Sequence, residues 1–93
     1  MSDAEVLDLV AKARRAYKSA FTRANKRYNV AANEAVVSFG STDVEQAARS
    51  CAIRRADRAR WDAITAAETK YRTALVEIKM RAGMWADLVP EAI

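Results

Sequence analysis

Glycine occurs only at positions 40 and 83 and proline only at 90, so this chain of 93 residues has few places to turn. Gly and Pro punctuate regular structure, and their scarcity forces the elements to be long. The β-branched residues are scattered and never alternate along a run, so no strand pattern is present. Alanine supplies 21 residues, and charged residues supply 30% of the chain, a makeup typical of long helices and coiled coils. The expected fold class is all-α.

Two helix starts are written in the residues. Ser2 with Glu5, and Thr42 with Glu45, have the spacing of a capping box, in which hydroxyl and carboxylate satisfy free backbone N–H groups. Asp3 and Asp43 add negative charge where the helix dipole is positive. Ser38-Phe39-Gly40-Ser41 is the one convincing turn before residue 83, with Gly40 expected to end a helix in the left-handed conformation. These signals predict helices over about 3–38 and 43–82, forming a hairpin domain of residues 1–83 that Gly83 closes. The tail, 84–93, is expected to dock on the bundle through Trp85 and Leu88.

The first helix carries Val6, Val10, Ala13, Tyr17, Ala20, Ala24, Tyr28, Ala31 and Ala35 at steps of three and four, with Phe21 beside them. That is a heptad seam. The second helix reads as two stripes, a small one (Ala48, Ala52, Ala56, Ala59, Ala63, Ala66) and a bulky one (Trp61, Ile64, Tyr71, Leu75, Ile78, then Trp85). A hairpin partner covers one stripe. The other predicts a homodimer that makes a four-helix bundle. A break in the first helix near Asn29–Asn33 would give a three-helix monomer instead.

Catalytic machinery is not evident. Histidine is absent, Cys51 is the lone thiol, and two distant glycines cannot form a phosphate-cradling loop. No enzyme activity, metal or cofactor is expected. Cys51, near Ala47, Ala48 and Ala52, is expected to face inward as an inert buried thiol, which suits a reducing compartment. Glu68 falls between Ile64 and Tyr71, where the bulky stripe wants an apolar residue. It reads as a flanking acid paired with Lys12, Arg15 or Arg72, or as a buried charge that sets register. The acidic opening Met-Ser-Asp-Ala-Glu is unlike a presequence, and no apolar run is long enough to span a bilayer. A cytoplasmic location without membrane contact is expected.

Charge is the most suggestive remaining feature. The net charge is +4, and the segment Lys12–Arg27 holds seven cations and no acid. Arg49, Arg54, Arg55, Arg58 and Arg60 face only Asp57 in their segment. In a hairpin turning at Gly40, residue i should lie level with residue 80 − i or so. Arg23, Lys26 and Arg27 would then meet Arg54, Arg55 and Arg58 in one basic belt. Such a belt suits phosphates or an acidic protein, unless it is merely solvated helix surface.

The expected function is therefore a non-enzymatic protein–protein interaction module: an adaptor, assembly factor or small inhibitor of a larger complex. An Ala/Arg-rich chain this short would suit a phage or mobile element. The partner-binding residues would be the six belt cations and Trp85, and the partner another protein with an acidic surface. The alternative is a nucleic-acid-binding hairpin dimer, although no recognition helix or aromatic RNA-binding motif accompanies the belt.

Overall fold

A computed structural model describes residues 1–91 as two antiparallel helices, α1 (Asp3–Ser38) and α2 (Asp43–Ala82), followed by a 3₁₀ helix over Gly83–Leu88. The hairpin is a rod measuring 64 × 15 × 12 Å. Its long dimension is about that of a 40-residue helix at 1.5 Å per residue. α1 runs unbroken through Asn29–Asn33, so the three-helix alternative is wrong. Neither asparagine adds a helix-breaking backbone demand, and Tyr28, Ala31 and Ala35 stay on the seam around them.

Both capping residues act as their spacing predicts. Ser2 Oγ accepts the Glu5 N–H at 3.2 Å, and Thr42 Oγ1 accepts the Glu45 N–H at 3.2 Å. The Glu45 carboxylate accepts from the Thr42 hydroxyl at 2.7 Å and from the Gly40 N–H at 2.6 Å. Gly40 itself differs from expectation. Positive φ occurs only at Gly83 among the described residues, at 60°, while α1 ends in extended backbone at Phe39. A Cβ at Gly40 would instead meet the end of the Glu45 side chain, which would have to swing aside and give up its bond from the Gly40 N–H.

The loop also sets a register that the sequence did not reveal. The Tyr17 ring stacks on Tyr71 at 5.3 Å, and the Arg60 guanidinium lies 4.2 Å over the Tyr28 ring. In both pairs the residue numbers add to 88, so residue i lies level with 88 − i, two helical turns away from the expected 80 − i. The cause is an extended link. Phe39 and Thr42 both have β-type backbone, so residues 39–42 climb along the first turns of α2 instead of bending tightly at the tip. Arg49 fastens the link by donating to the Phe39 and Gly40 carbonyls, both at 2.9 Å.

Every residue of the expected α1 seam is buried or half-buried. The α2 stripes are corrected. One seam runs through Ala48, Ala52 and Ala56, then crosses to Ile64, Ala67, Tyr71, Leu75 and Ile78. Ala59, Ala63 and Ala66 are exposed, and Trp61 is 58% exposed. Forty residues of straight helix drift against a seven-residue repeat, which turned one continuous seam into two apparent stripes.

Bulky packing is concentrated at the end of the rod that holds the termini. Val6, Val10, Leu75, Ile78, Ala82 and Val89 form the core cluster, with Leu9, Ala13, Tyr71 and Trp85 against it. The tail therefore docks, through Trp85 and Val89 and not Leu88, which stays exposed. Residues 92 and 93 of the tail lie outside the described residues. Toward the loop the buried seam residues are the alanines Ala24, Ala35 and Ala67, with Ile64 the one large side chain among them.

Two outcomes follow from this packing. Ala24→Leu or Ala67→Leu should lower stability by about 1–3 kcal/mol, since close-packed sites admit extra methylenes only with strain. Ala59→Leu should change it by less than about 0.5 kcal/mol in the same thermal melts, because that position faces solvent. The second outcome concerns acid. Hydrogen bonds from the Thr42 hydroxyl and then the Gly40 N–H hold the Glu45 carboxyl below its ordinary value of 4.5. A depressed folded pKa means that the stabilisation is present above the unfolded value and lost as pH falls through the folded one. Melting temperature should thus fall on acidification below pH 4.5 by more in the native chain than in Glu45→Gln.

Candidate functional site

The hairpin has two flanks of different chemistry, one on each side of the seam. On one flank runs a shallow trough lined by alanines, among them Ala16, Ala20, Ala24, Ala56, Ala59 and Ala63. Arg23, Arg27 and Lys70 stand along it. Arg23 and Arg27 are four residues apart and so share one edge of α1. The stacked rings of Tyr17 and Tyr71 fill the seam between the flanks and reach both.

The other flank is aromatic. Arg14, Lys18, Glu68, Arg72, Pro90 and Glu91 border a depression of about 610 Å³ whose floor is Tyr17 and Tyr71. Phe21 extends this surface, with its ring 6.3 Å from Tyr17. At about 100° per residue, Arg14 and Lys18 fall on the opposite side of the α1 seam from Arg23 and Arg27. Glu68 is half-buried at this depression rather than inside the seam, where Ala67 takes the buried position.

The basic belt assembles differently from expectation. With the corrected register, Arg23, Lys26 and Arg27 lie level with Thr65, Asp62 and Trp61. Arg54, Arg55 and Arg58 lie level with Glu34, Asn33 and Val30. The two arginine groups therefore follow one another along the rod over about 17 Å instead of meeting face to face. All six are exposed, and none of them forms an ion pair among the described residues. Asp57, which could have absorbed some of this charge, is held by Arg60 at 2.5 Å.

Arg60 is the residue that sequence reasoning undervalued. It occupies the seam step between Ala56 and Ile64, where an apolar residue would be expected. Its charge is accommodated by Asp57 on one side and the Tyr28 ring face on the other. The spacing of 28 and 60 signals this pair only after the register is known. Trp85, expected to contact a partner, is half-buried against the core cluster. Cys51 is exposed, contrary to expectation, with the Arg54 guanidinium 3.5 Å from its sulfur. The α2 seam at this level runs through Ala48 and Ala52, which turns Cys51 outward.

Among the described residues, no group of three metal-ligating side chains converges, and no helix is long and apolar enough to cross a membrane. No known protein family, curated protein or solved structure matches the chain.

The exposure of Cys51 has a direct chemical consequence. A thiol-selective reagent should modify the folded protein nearly as fast as the denatured one, with one equivalent taken up. Protection of the thiol until denaturant is added would place Cys51 against another surface.

Proposed function

We propose that this chain is a non-enzymatic protein-interaction module whose basic, alanine-lined flank docks an acidic surface on another protein, as an adaptor, assembly factor or inhibitor of a larger complex would. One observation carries the reading: Arg23 and Arg27 stand without ion-pair partners along a trough of alanines. Small side chains let a partner helix approach closely, and unpaired cations select an acidic one. Lys26 lies next to Arg27 on the same helix, and Arg54, Arg55 and Arg58 lie farther toward the loop, where the exposed Glu34 is level with Arg54.

The working unit in this proposal is a homodimer. The chain exposes 6916 Å², whereas a compact monomer of 10.3 kDa exposes about 5,400 Å². The excess of about 1,500 Å² is within the range that each subunit of an obligate dimer buries. The same unpaired cations support a second reading, in which the dimer binds nucleic acid through phosphates.

Charge reversal tests the reading and separates the two partners. Arg23→Glu/Lys26→Glu/Arg27→Glu should remain helical by circular dichroism, since exposed substitutions shift stability by less than about 0.5 kcal/mol each. Capture of the cellular partner should be lost in this variant and only weakened in Arg54→Glu/Arg55→Glu/Arg58→Glu, whose side chains lie away from the trough. Nuclease treatment of the lysate should leave capture intact. Capture abolished by nuclease, with duplex affinity falling about 0.9 log units per log unit of salt for each phosphate neutralised, would select the nucleic-acid reading. Undiminished capture by the first variant would return these cations to plain solvated surface.

A further inference from the structure

We infer that the aromatic flank, carrying Phe21 and Trp61, is the surface on which a second copy of this chain docks, leaving the basic trough free on the outside of the dimer. The inference rests on the dimeric reading above and assigns its interface.

Helix periodicity gathers large exposed apolar side chains on this flank. Leu7, Arg14 and Phe21 are spaced by seven, so Leu7 and Phe21 share an edge of α1 with Arg14. Val36 is eighteen residues beyond Lys18, five full turns, and falls on the same side. On α2, Trp61 precedes Glu68 by seven and Val76 follows Arg72 by four. All five apolar residues are exposed: Leu7 52%, Phe21 41%, Val36 54%, Trp61 58% and Val76 57%. The two aromatic ones, Phe21 and Trp61, lie only six residue levels apart, about 9 Å along the rod, and exposed large side chains so close together favour an interface.

Charge identifies the occupant. A twofold interface must be complementary to itself. The aromatic flank offers both signs, Arg14, Lys18 and Arg72 beside Glu68 and Glu91, so two copies can face each other with opposite charges in reach. The alanine trough offers Arg23, Arg27 and Lys70, and pairing it with itself would place two sets of these cations together. Like charges brought together at an interface are repulsive and exclude that arrangement. The trough therefore suits an acidic partner, and the aromatic flank suits a second copy.

Light scattering of the full chain, from sub-micromolar to tens of micromolar, tests the assignment. The native chain should reach twice its 10.3 kDa, while Phe21→Glu/Trp61→Glu should stay at 10.3 kDa and remain helical by circular dichroism. Arg23→Glu/Arg27→Glu should still dimerise. A native chain that stays monomeric overturns the dimer and this interface together, without touching partner capture through the trough. A dimer that survives Phe21→Glu/Trp61→Glu, or is lost in Arg23→Glu/Arg27→Glu, overturns the face assignment alone. Should the aromatic variant unfold, Trp85→Phe leaves Trp61 as the only tryptophan of the chain. Its emission should move to shorter wavelength as mass doubles, and an unmoved emission would overturn the inference.

Discussion

Two helices joined by an alanine seam can lie close together, but they bury little apolar area per residue, and the rest of this molecule follows from that limitation. Apolar burial stabilises by about 25 cal/mol per Å², so an alanine contributes far less than a leucine at the same step. The chain compensates at one end, where Val6, Val10, Leu75, Ile78 and the docked Val89 form the only cluster of large buried side chains among the described residues. From Ala24 to the loop the seam is narrow and shallow. A narrow seam leaves both flanks of each helix open, which explains why this small protein exposes so many large side chains.

The loop matters more than its four residues suggest. Because residues 39–42 run extended along α2, every cross-helix pairing shifts by two turns relative to a tight bend at Gly40. Glu45 and Arg49 hold that arrangement from the α2 side, one accepting the Gly40 N–H and the other donating to the Phe39 and Gly40 carbonyls. The loop thus acts on the charge pattern at a distance. Shifting the register separates Arg23, Lys26 and Arg27 from Arg54, Arg55 and Arg58 and lets positive charge extend along the rod. A charge cluster facing itself would oppose closure of the hairpin, whereas the staggered arrangement reduces that repulsion.

The legible part of the sequence was local. Capping pairs three residues apart, the continuous α1 seam and the closing Gly83 depend on neighbours within a turn or two, and all were readable. The register was not, because nothing in Ser38-Phe39-Gly40-Ser41 distinguishes a tight turn from an extended climb until Arg49 is placed beside it. The α2 pattern misled for a related reason. Alanine is equally at home on a seam and on a solvated helix surface, so Ala59, Ala63 and Ala66 mimicked a buried stripe. Cys51 stands next to the seam residue Ala52 in sequence but about 100° from it around the helix, so its alanine neighbours did not place it inside. The candidate surface was legible as a set of cations, but not as a trough, since a trough is a property of two helices in a particular register.

Arg60 shows how the seam and the two flanks depend on one another. A leucine at that step would add apolar area where the seam crosses from small to bulky residues, yet the site carries a guanidinium between Asp57 and the Tyr28 ring. The Asp57 contact lies within α2 and forms at any register, whereas the Tyr28 contact forms only when residue 60 is level with residue 28. Arg60 therefore penalises any slip of α2 along α1, which an alanine seam by itself resists weakly because its knobs are nearly alike. Register in turn decides which residues share a level on each flank. With it fixed, Tyr17 meets Tyr71 beside Arg14, Lys18 and Glu68, while the alanines of both helices line up beneath Arg23 and Arg27. One polar contact within the seam thus helps keep an aromatic flank and a basic flank distinct on a rod whose backbone alone would not distinguish them.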